Sequence, residues 1–554
     1  MISVSPADRA IAAGSMRTPV APAAGGELPQ SLAGLLVPRA YPHPVDAVSL
    51  LQTPVSWVLL AGAFAYKIKR PVQYPFLDQR SLERRRWLCQ EELRLNRRFA
   101  PDLYLQVCRI VAQDGGVVMR TETAGGGRVL EHAVRMLRFD SADRLDRLLA
   151  GGRIETAALE DFGRRLADTH AALPVVTDDA PWGRPGNISE LLLRNLQECA
   201  EASTVFNARE SVAALRKPLA RRLLQAWPWM AIRRTTGRVR ECHADLHSRN
   251  IARWGERLLA FDCLEYEPAF RWIDVADEIA FLSSDLSARR FGAYAHAFRG
   301  AYLERSGDYH ACRVLKVYEA HRALVRAKVA ALAAAAGAAR EPLREEHEQL
   351  VAHAARAVSG AQPRLVLMSG LSGSGKTWLA RRIAERLEAV HLRSDIERKR
   401  RAGLAALESS GCALSEGMYS SEASALVRED MARAAGDALA GGFTVIVDAT
   451  LLRREERRRF IELGAHLGIR PYVVCCQAPL PVLRARLQGR AAAGLDPSEA
   501  DASVLEWQQR RAEPVSAEEP VDSMVVDADD PCVIDNVLEH IQACGRGGFQ
   551  NRPF

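Results

Sequence analysis

Eight consecutive positions, Gly370, Leu371, Ser372, Gly373, Ser374, Gly375, Lys376 and Thr377, have types and spacing that suit phosphate chemistry. Glycines at those intervals let successive backbone N–H groups turn inward around phosphate oxygens, and a helix starting there presents its positive end to the same anion. In such a loop Lys376 reaches the β- and γ-phosphates of ATP and Thr377 ligates Mg2+. The flanks match: the apolar run Leu365 to Met368 precedes the loop, and Leu379, Ile383, Leu387 and Val390 follow at helical spacing.

Two carboxylates lie beyond the loop, each after a short apolar run. Asp395 follows residues 390–394 and Asp448 follows Val445 to Val447, strand ends at which open α/β sheets place their ligands. A helix cap is the competing use for either one. Residues 393–398, Arg-Ser-Asp-Ile-Glu-Arg, resemble the D-x-x-R segment of small P-loop kinases such as polynucleotide 5'-kinases, zeta-type toxins and chloramphenicol phosphotransferase. That resemblance implies Asp395 as general base and Arg398 as an acceptor or phosphate contact. Residues 445–450 resemble the second strand motif of those kinases, which implies that Asp448 sits near the metal or the acceptor. Arg486 and Arg490, four apart on one helix face, resemble the lid arginines that neutralise the transferring phosphoryl group. The basic run Arg453 to Arg459 reads as solvated surface.

A second constellation lies far upstream. Asp245 is followed five residues later by Asn250, and Asp262 closes the apolar run Leu258 to Phe261. With a turn between Trp254 and Arg257, two strands fold back and bring Asn250 and Asp262 to one end, beside Asp245. One carboxylate and the amide then suit Mg2+ on nucleotide phosphates, and the other carboxylate orients or deprotonates a hydroxyl. His243, Asp245 and Asn250 resemble the H-G-D-x-x-x-x-N loop of the aminoglycoside phosphotransferase and choline kinase branch of the protein-kinase-like fold. The resemblance implies Asp262 as the metal Asp, Lys67 as the phosphate-binding lysine with Lys69 on the same strand face, and Glu92 as the lysine's ion-pair partner. It also implies an adenine-holding hinge near Val134 to Met136 and structural carboxylates within residues 270–281. Ala244 stands where that family usually has glycine, no G-x-G-x-x-G loop covers the phosphates, and Asp262 is not followed by Phe-Gly. The last two departures favour the small-molecule branch over protein kinases, and the substitution at 244 leaves room for a non-catalytic, nucleotide-sensing module.

The elements that position these residues divide into two patterns. Residues 32–137 are strand-rich, with a hairpin at Ala61-Gly62 and a helix from Arg84 to Phe99, and residues 141–332 are mostly long amphipathic helices. After Gln362-Pro363, apolar runs alternate with helical patterns, indicating a parallel sheet covered on both faces. The expected fold class is therefore α/β and α+β: a protein-kinase-like two-lobed fold followed by a P-loop NTPase fold. The expected organisation is a disordered leader (1–31), a phosphotransferase-like domain (32–345), a linker (346–362), a P-loop kinase domain (363–543) and a disordered tail (544–554). A fusion in this order resembles bacterial proteins described as bifunctional aminoglycoside phosphotransferase-like and ATP-binding proteins.

Bulk properties bound the rest. In 554 residues, 48% are hydrophobic and 26% charged, ordinary values for a soluble globular chain. A net charge of +7, from 75 basic and 68 acidic side chains, is too small to imply a nucleic-acid or membrane surface. Eleven cysteines without a C-x-x-C pair suggest free thiols in a reducing, cytoplasmic compartment. The expected ligands are ATP, Mg2+ and an unidentified hydroxyl acceptor, with a 5'-hydroxyl polynucleotide ranked below a small molecule.

Overall fold

The computed structural model describes residues 28–544 apart from 75–76, 114, 125, 361, 411–416 and 494–496. Residues 1–27 of the expected leader and 545–554 of the expected tail lie outside the described residues. The chain packs as two units, one of residues 1–291 and 317–358, the other of residues 292–316 and 359–554. Two expectations change. Residues 292–316, expected with the first domain, pack with the second unit. The expected linker 346–362 is for most of its length the helix Arg340–Ser359, which buries Leu350 and Ala354.

The first unit begins with a six-stranded antiparallel sheet, ordered Val48–Gln52, Ser56–Ala61, Phe64–Lys69, Arg128–Leu137, Tyr104–Gln113 and Gly116–Thr121. Alternation explains its faces: Trp57, Leu59 and Ala61 point into one apolar core with Tyr66 and Ile68, and the intervening Lys67 and Lys69 point to the other side. Helix Leu82–Asn96 covers that other side, its first turn capped by the Ser81 hydroxyl accepting from Arg84 N at 3.1 Å. Val134 to Met136 lie inside the strand Arg128–Leu137, where Val134 pairs with Lys67.

Helices Thr156–Ala172, Pro185–Ala202, Arg216–Thr235 and Val275–Ala288 make up much of the rest, together with the antiparallel pairs Ile251–Trp254 with Arg257–Ala260 and Val239–Glu241 with Trp272–Asp274. Helix Val275–Ala288 is buried on nearly every side. A helix so enclosed needs partners for each polar side chain it carries, and Asp277, Glu278 and Asp285 find them at the site described below.

The second unit is a five-stranded parallel sheet, ordered Val390–Arg393, Val445–Asp448, Leu365–Ser369, Tyr472–Gln477 and Asp522–Asp527. The central strand Leu365–Ser369 is buried at every residue, as a parallel strand covered on both faces must be. Val366, Met368, Ile446 and Val474 pack with Leu379 and Ile383 of helix Lys376–Leu387 and Val537 of helix Val533–Cys544. Each such fully buried aliphatic side chain contributes roughly 1.5–3 kcal/mol. The strand order runs outward from Leu365–Ser369 in both directions, and that switch point is where the glycine loop emerges.

Candidate functional site

In the first unit the strand Phe64–Lys69 aims Lys67 at helix Leu82–Asn96. Lys67 Nζ lies 2.8 Å from Glu92 Oε1 and is also paired with Asp262. Burial alone would depress this lysine, but Asp262 and Glu92 hold it well above the ordinary lysine range, so it is a fixed cation. Lys69, two residues along the same face, contacts the other Glu92 oxygen at 2.5 Å and pairs with Glu265. Both lysines weighed from the sequence therefore share one glutamate, and only Lys67 reaches Asp262.

The loop after Glu241 is held by carboxylates from the buried helix. Glu278 accepts the backbone N–H groups of His243 and Ala244 at 2.8 and 2.9 Å, and Asp285 accepts that of Ser248 at 3.0 Å. Arg322 clamps Asp277 through two 2.7 Å bonds, and Arg233 clamps Asp274 at 2.7 and 2.8 Å. Ala244 sits at φ +73, the left-handed region, which costs a residue with a Cβ about 1 kcal/mol and which glycine adopts freely. The alanine thus keeps the glycine conformation rather than reshaping the loop, with its N–H committed to Glu278.

Asn250 donates its side-chain amide to Asp245 Oδ2 at 2.8 Å, bringing together the pair expected from their five-residue spacing. Burial pushes the Asp245 carboxyl up, but His247, 3.5 Å away, and Arg326 outweigh it, so Asp245 stays ionised far below the usual carboxylate range. His243 Nε2 lies 2.9 Å from Phe261 O, fastening the loop to the strand end that carries Asp262. Asp262 has φ +66; its N–H donates to the Tyr104 hydroxyl at 3.0 Å, and the next N–H donates to Asn96 Oδ1 at 2.9 Å. Glu278 holds the site from within residues 270–281, where structural carboxylates were expected, whereas Asn96 and Tyr104 position it and were missed in the sequence. Asn96 alone had a local signal, one helical turn beyond Glu92.

In the second unit the glycine loop has the geometry its composition demands. Gly370, Gly373 and Gly375 have φ of +142, +85 and +88, and a Cβ on Gly370 would stand 2.3 Å from the Cys476 carbonyl oxygen. Lys376 Nζ donates to Leu371 O at 2.8 Å within the loop. Burial depresses Lys376, opposed by Asp448, Cys476 and Asp395. The Ser374 hydroxyl oxygen is buried with no hydrogen-bond partner among the described residues, as suits an anion seated in the loop. The side chain of Leu371 instead packs on Leu483, Leu487 and Leu505.

A cleft of about 920 Å3 opens here, and Lys376, Thr377, Asp395, Arg398, Asp448, Arg486 and Arg490 all line it. Asp448 ends its strand 3.1 Å from His391 Nε2; burial raises its carboxyl, but the histidine, Arg393 and Lys376 hold it below the usual range. Arg398 donates to Met418 O at 2.7 Å and to the Ser424 hydroxyl at 3.0 Å, with its guanidinium over the Tyr419 ring. Arg486 donates to Gly373 O at 3.2 Å and Arg490 to Ala500 O at 2.9 Å. Gln508, unremarkable in the sequence, brackets the loop, accepting from Ser372 N at 2.8 Å and donating to the Ser372 hydroxyl at 3.0 Å. The run Arg453 to Arg459 is not all solvated surface: Arg457 is fully buried against Glu519 at 2.7 Å, and Arg453 lines the cleft.

Comparison with known proteins gives three kinds of likeness. The chain is 28% identical over 473 residues to the uncharacterized protein Rv2004c of Mycobacterium tuberculosis H37Rv, covering 84% of this chain and 92% of that one. A crystal structure of a sugar kinase from Janibacter sp. HTCC2649 is similar at 21% identity, over 32% of this chain and 95% of that one, with a TM-score of 0.26. A choline/ethanolamine kinase family protein from Mesorhizobium loti is similar at 13% identity, over 58% of this chain and 89% of that one, with a TM-score of 0.32. Residues 365–515 match the family model described as AAA domain, a span that opens on the central strand and takes in the glycine loop, Asp395, Asp448, Arg486 and Arg490.

Proposed function

We propose that the protein is a bifunctional ATP-dependent phosphotransferase, each unit moving the γ-phosphoryl group of ATP to a hydroxyl acceptor that is a small molecule. The observation that carries this reading is the convergence, in one cleft, of the glycine loop with Lys376, Asp395 and Asp448. The first unit adds an independent set of the same chemical types: a fixed lysine, an ionised aspartate, and an amide and carboxylate beside them. Oxygen donors at each site suit Mg2+, Asn250 with Asp262 in the first unit and Thr377 with Asp448 in the second. When bound, the ion offsets charge on the transferring group.

The chain's own residues do the rest. In the first unit Lys67 binds phosphate oxygens, and Asp245, ionised at neutral pH, orients the acceptor hydroxyl; as the new bond to the γ-phosphorus forms and the bond to the ADP oxygen breaks, the hydroxyl proton passes to a phosphate oxygen or to solvent. In the second, Lys376 and the loop N–H groups hold the phosphates, Asp395 serves the acceptor hydroxyl, and Arg398, Arg486 and Arg490 offset negative charge. The lining also contains Glu422, Glu456, Glu499 and Asp501, a mixed-sign surface that favours a small acceptor over a polynucleotide. Loop geometry at Ala244 favours a catalytic first unit over a purely sensing one. Free thiols at every described cysteine fit a cytoplasmic setting.

The test is acceptor-stimulated ADP release by the full chain against a panel of hydroxylated compounds, including aminoglycosides, sugars and a 5'-hydroxyl oligonucleotide. Small-molecule acceptors abolished separately by Asp245→Asn and Asp395→Asn support the reading. Stimulation by the oligonucleotide alone would replace it with a nucleic-acid end kinase.

A further inference from the structure

The helix Ser394–Arg401 carries Asp395 and Arg398 into the cleft, yet it has only eight residues, too few to be stable unaided. At about 100° per residue, Asp395 and Arg398 share one side, and Glu397 and Arg400 fall on the opposite one. That back face is met by residues 292–316, which belong to the second unit. The Tyr309 hydroxyl, in a side chain 5% exposed, donates to Glu397 Oε1 at 3.0 Å. The Arg400 guanidinium lies 5.6 Å from the Tyr309 ring centroid and pairs with Glu397. Glu304, on helix Gly292–Ser306, reaches Arg393 at 3.9 Å, just before the short helix begins.

The segment is itself anchored. His310 and Arg313 hold Asp437 of helix Ser421–Ala440 at 3.0 and 2.9 Å, and Arg299 donates to Glu388 O at 3.1 Å beside the Phe443 ring. Gly307, at φ +64, allows the Arg400 side chain to pass, since a Cβ there would stand 2.9 Å from its guanidinium carbon.

We infer that residues 292–316 are a built-in brace of the second phosphotransfer site, and that Tyr309, acting through Glu397, is a positioning residue for Asp395 and Arg398. The inference rests on the proposed role of the cleft and extends it: part of the second site is encoded some 70 residues before the glycine loop, within the stretch that reads as the first domain. A fragment starting at residue 363 lacks the brace.

The experiment uses the full chain carrying Asp245→Asn to silence the first site, and compares Tyr309, Tyr309→Phe and Tyr309→Phe with Lys376→Ala. Loss of one buried bond to a charged carboxylate is expected to speed amide exchange of residues 395–401 roughly ten-fold and to lower kcat for Mg-ATP hydrolysis by about the same factor, with KM for ATP unchanged. Glu397→Gln, which still accepts from Tyr309, should keep most of that exchange protection. Unchanged exchange in Tyr309→Phe overturns the brace whatever the turnover. Hydrolysis that survives Lys376→Ala overturns the phosphotransfer reading of the cleft and leaves the exchange result to judge the brace by itself.

Discussion

On the proposed reading the two sites solve one problem, holding a polyphosphate beside an acceptor, with different materials. The second unit uses backbone: a loop whose three glycines take positive φ runs straight into a helix, and the lysine follows directly in sequence. The first unit uses side chains from separate elements, with Lys67, Glu92, Asp245, Asn250 and Asp262 spread over nearly 200 residues and locked by ion pairs. A backbone site is compact in sequence and depends on a few glycines. A side-chain site depends on every long-range pair that orients it, so substitutions well away from the phosphates should reach it.

The comparison breaks most sharply at Lys376. Lys376→Ala should lower turnover at the second site about a thousand-fold, the scale for removing a preorganised charge at the reacting group, and leave first-site turnover intact. Equal loss at both sites in single-turnover assays would mean that there is one site rather than two. Asp245→Asn comes next, expected to cost the first site about a hundred-fold in kcat with little change in ATP affinity; a change confined to KM would move Asp245 from the acceptor to the nucleotide.

Glu278 sharpens the claim about dispersed support. Burial pushes its carboxyl up to about 7, against the Ala244 N–H, Arg322 and the His243 N–H. Above the ordinary value near 4.5 the unfolded chain has released this proton and the native state still holds it, so raising the pH favours unfolding until both forms are ionised above about 7. The thermal midpoint of the first unit should therefore fall between pH 5 and pH 7 by a component missing from Glu278→Gln. A variant with the same pH slope as the wild type would show that the carboxyl titrates normally.

The smallest effect belongs to Ala244. Ala244→Gly relieves a left-handed alanine and should raise unfolding free energy by about 1 kcal/mol, read from the denaturation midpoint, with first-site turnover unchanged. Destabilisation instead would mean that the methyl group packs better than its backbone is strained.

This contrast also explains what was legible in the sequence. The glycine loop, its flanking strand and helix, and the hairpin bringing Asn250 to Asp262 are local patterns, and periodicity or turn chemistry exposes them. Tyr104 and Gln508 were silent because each acts through a partner more than 100 residues away, and nothing in their neighbourhoods differs from ordinary helix or strand. Arg457 read as surface because a charged run has the composition of a solvated face; its burial depends on Glu519, 62 residues later. Residues 292–316 read as one more helix of the first domain because helical spacing says which face is apolar, not which core receives it.

The central claim is that one chain holds two nucleotide sites, and equilibrium titration of the full chain with a non-hydrolysable ATP analogue and Mg2+ tests it most directly. The account predicts two equivalents bound, one lost in Lys67→Met, the other lost in Lys376→Ala, and none left in the double variant. A single equivalent in the wild type, removed by Lys376→Ala and indifferent to Lys67→Met, would contradict it.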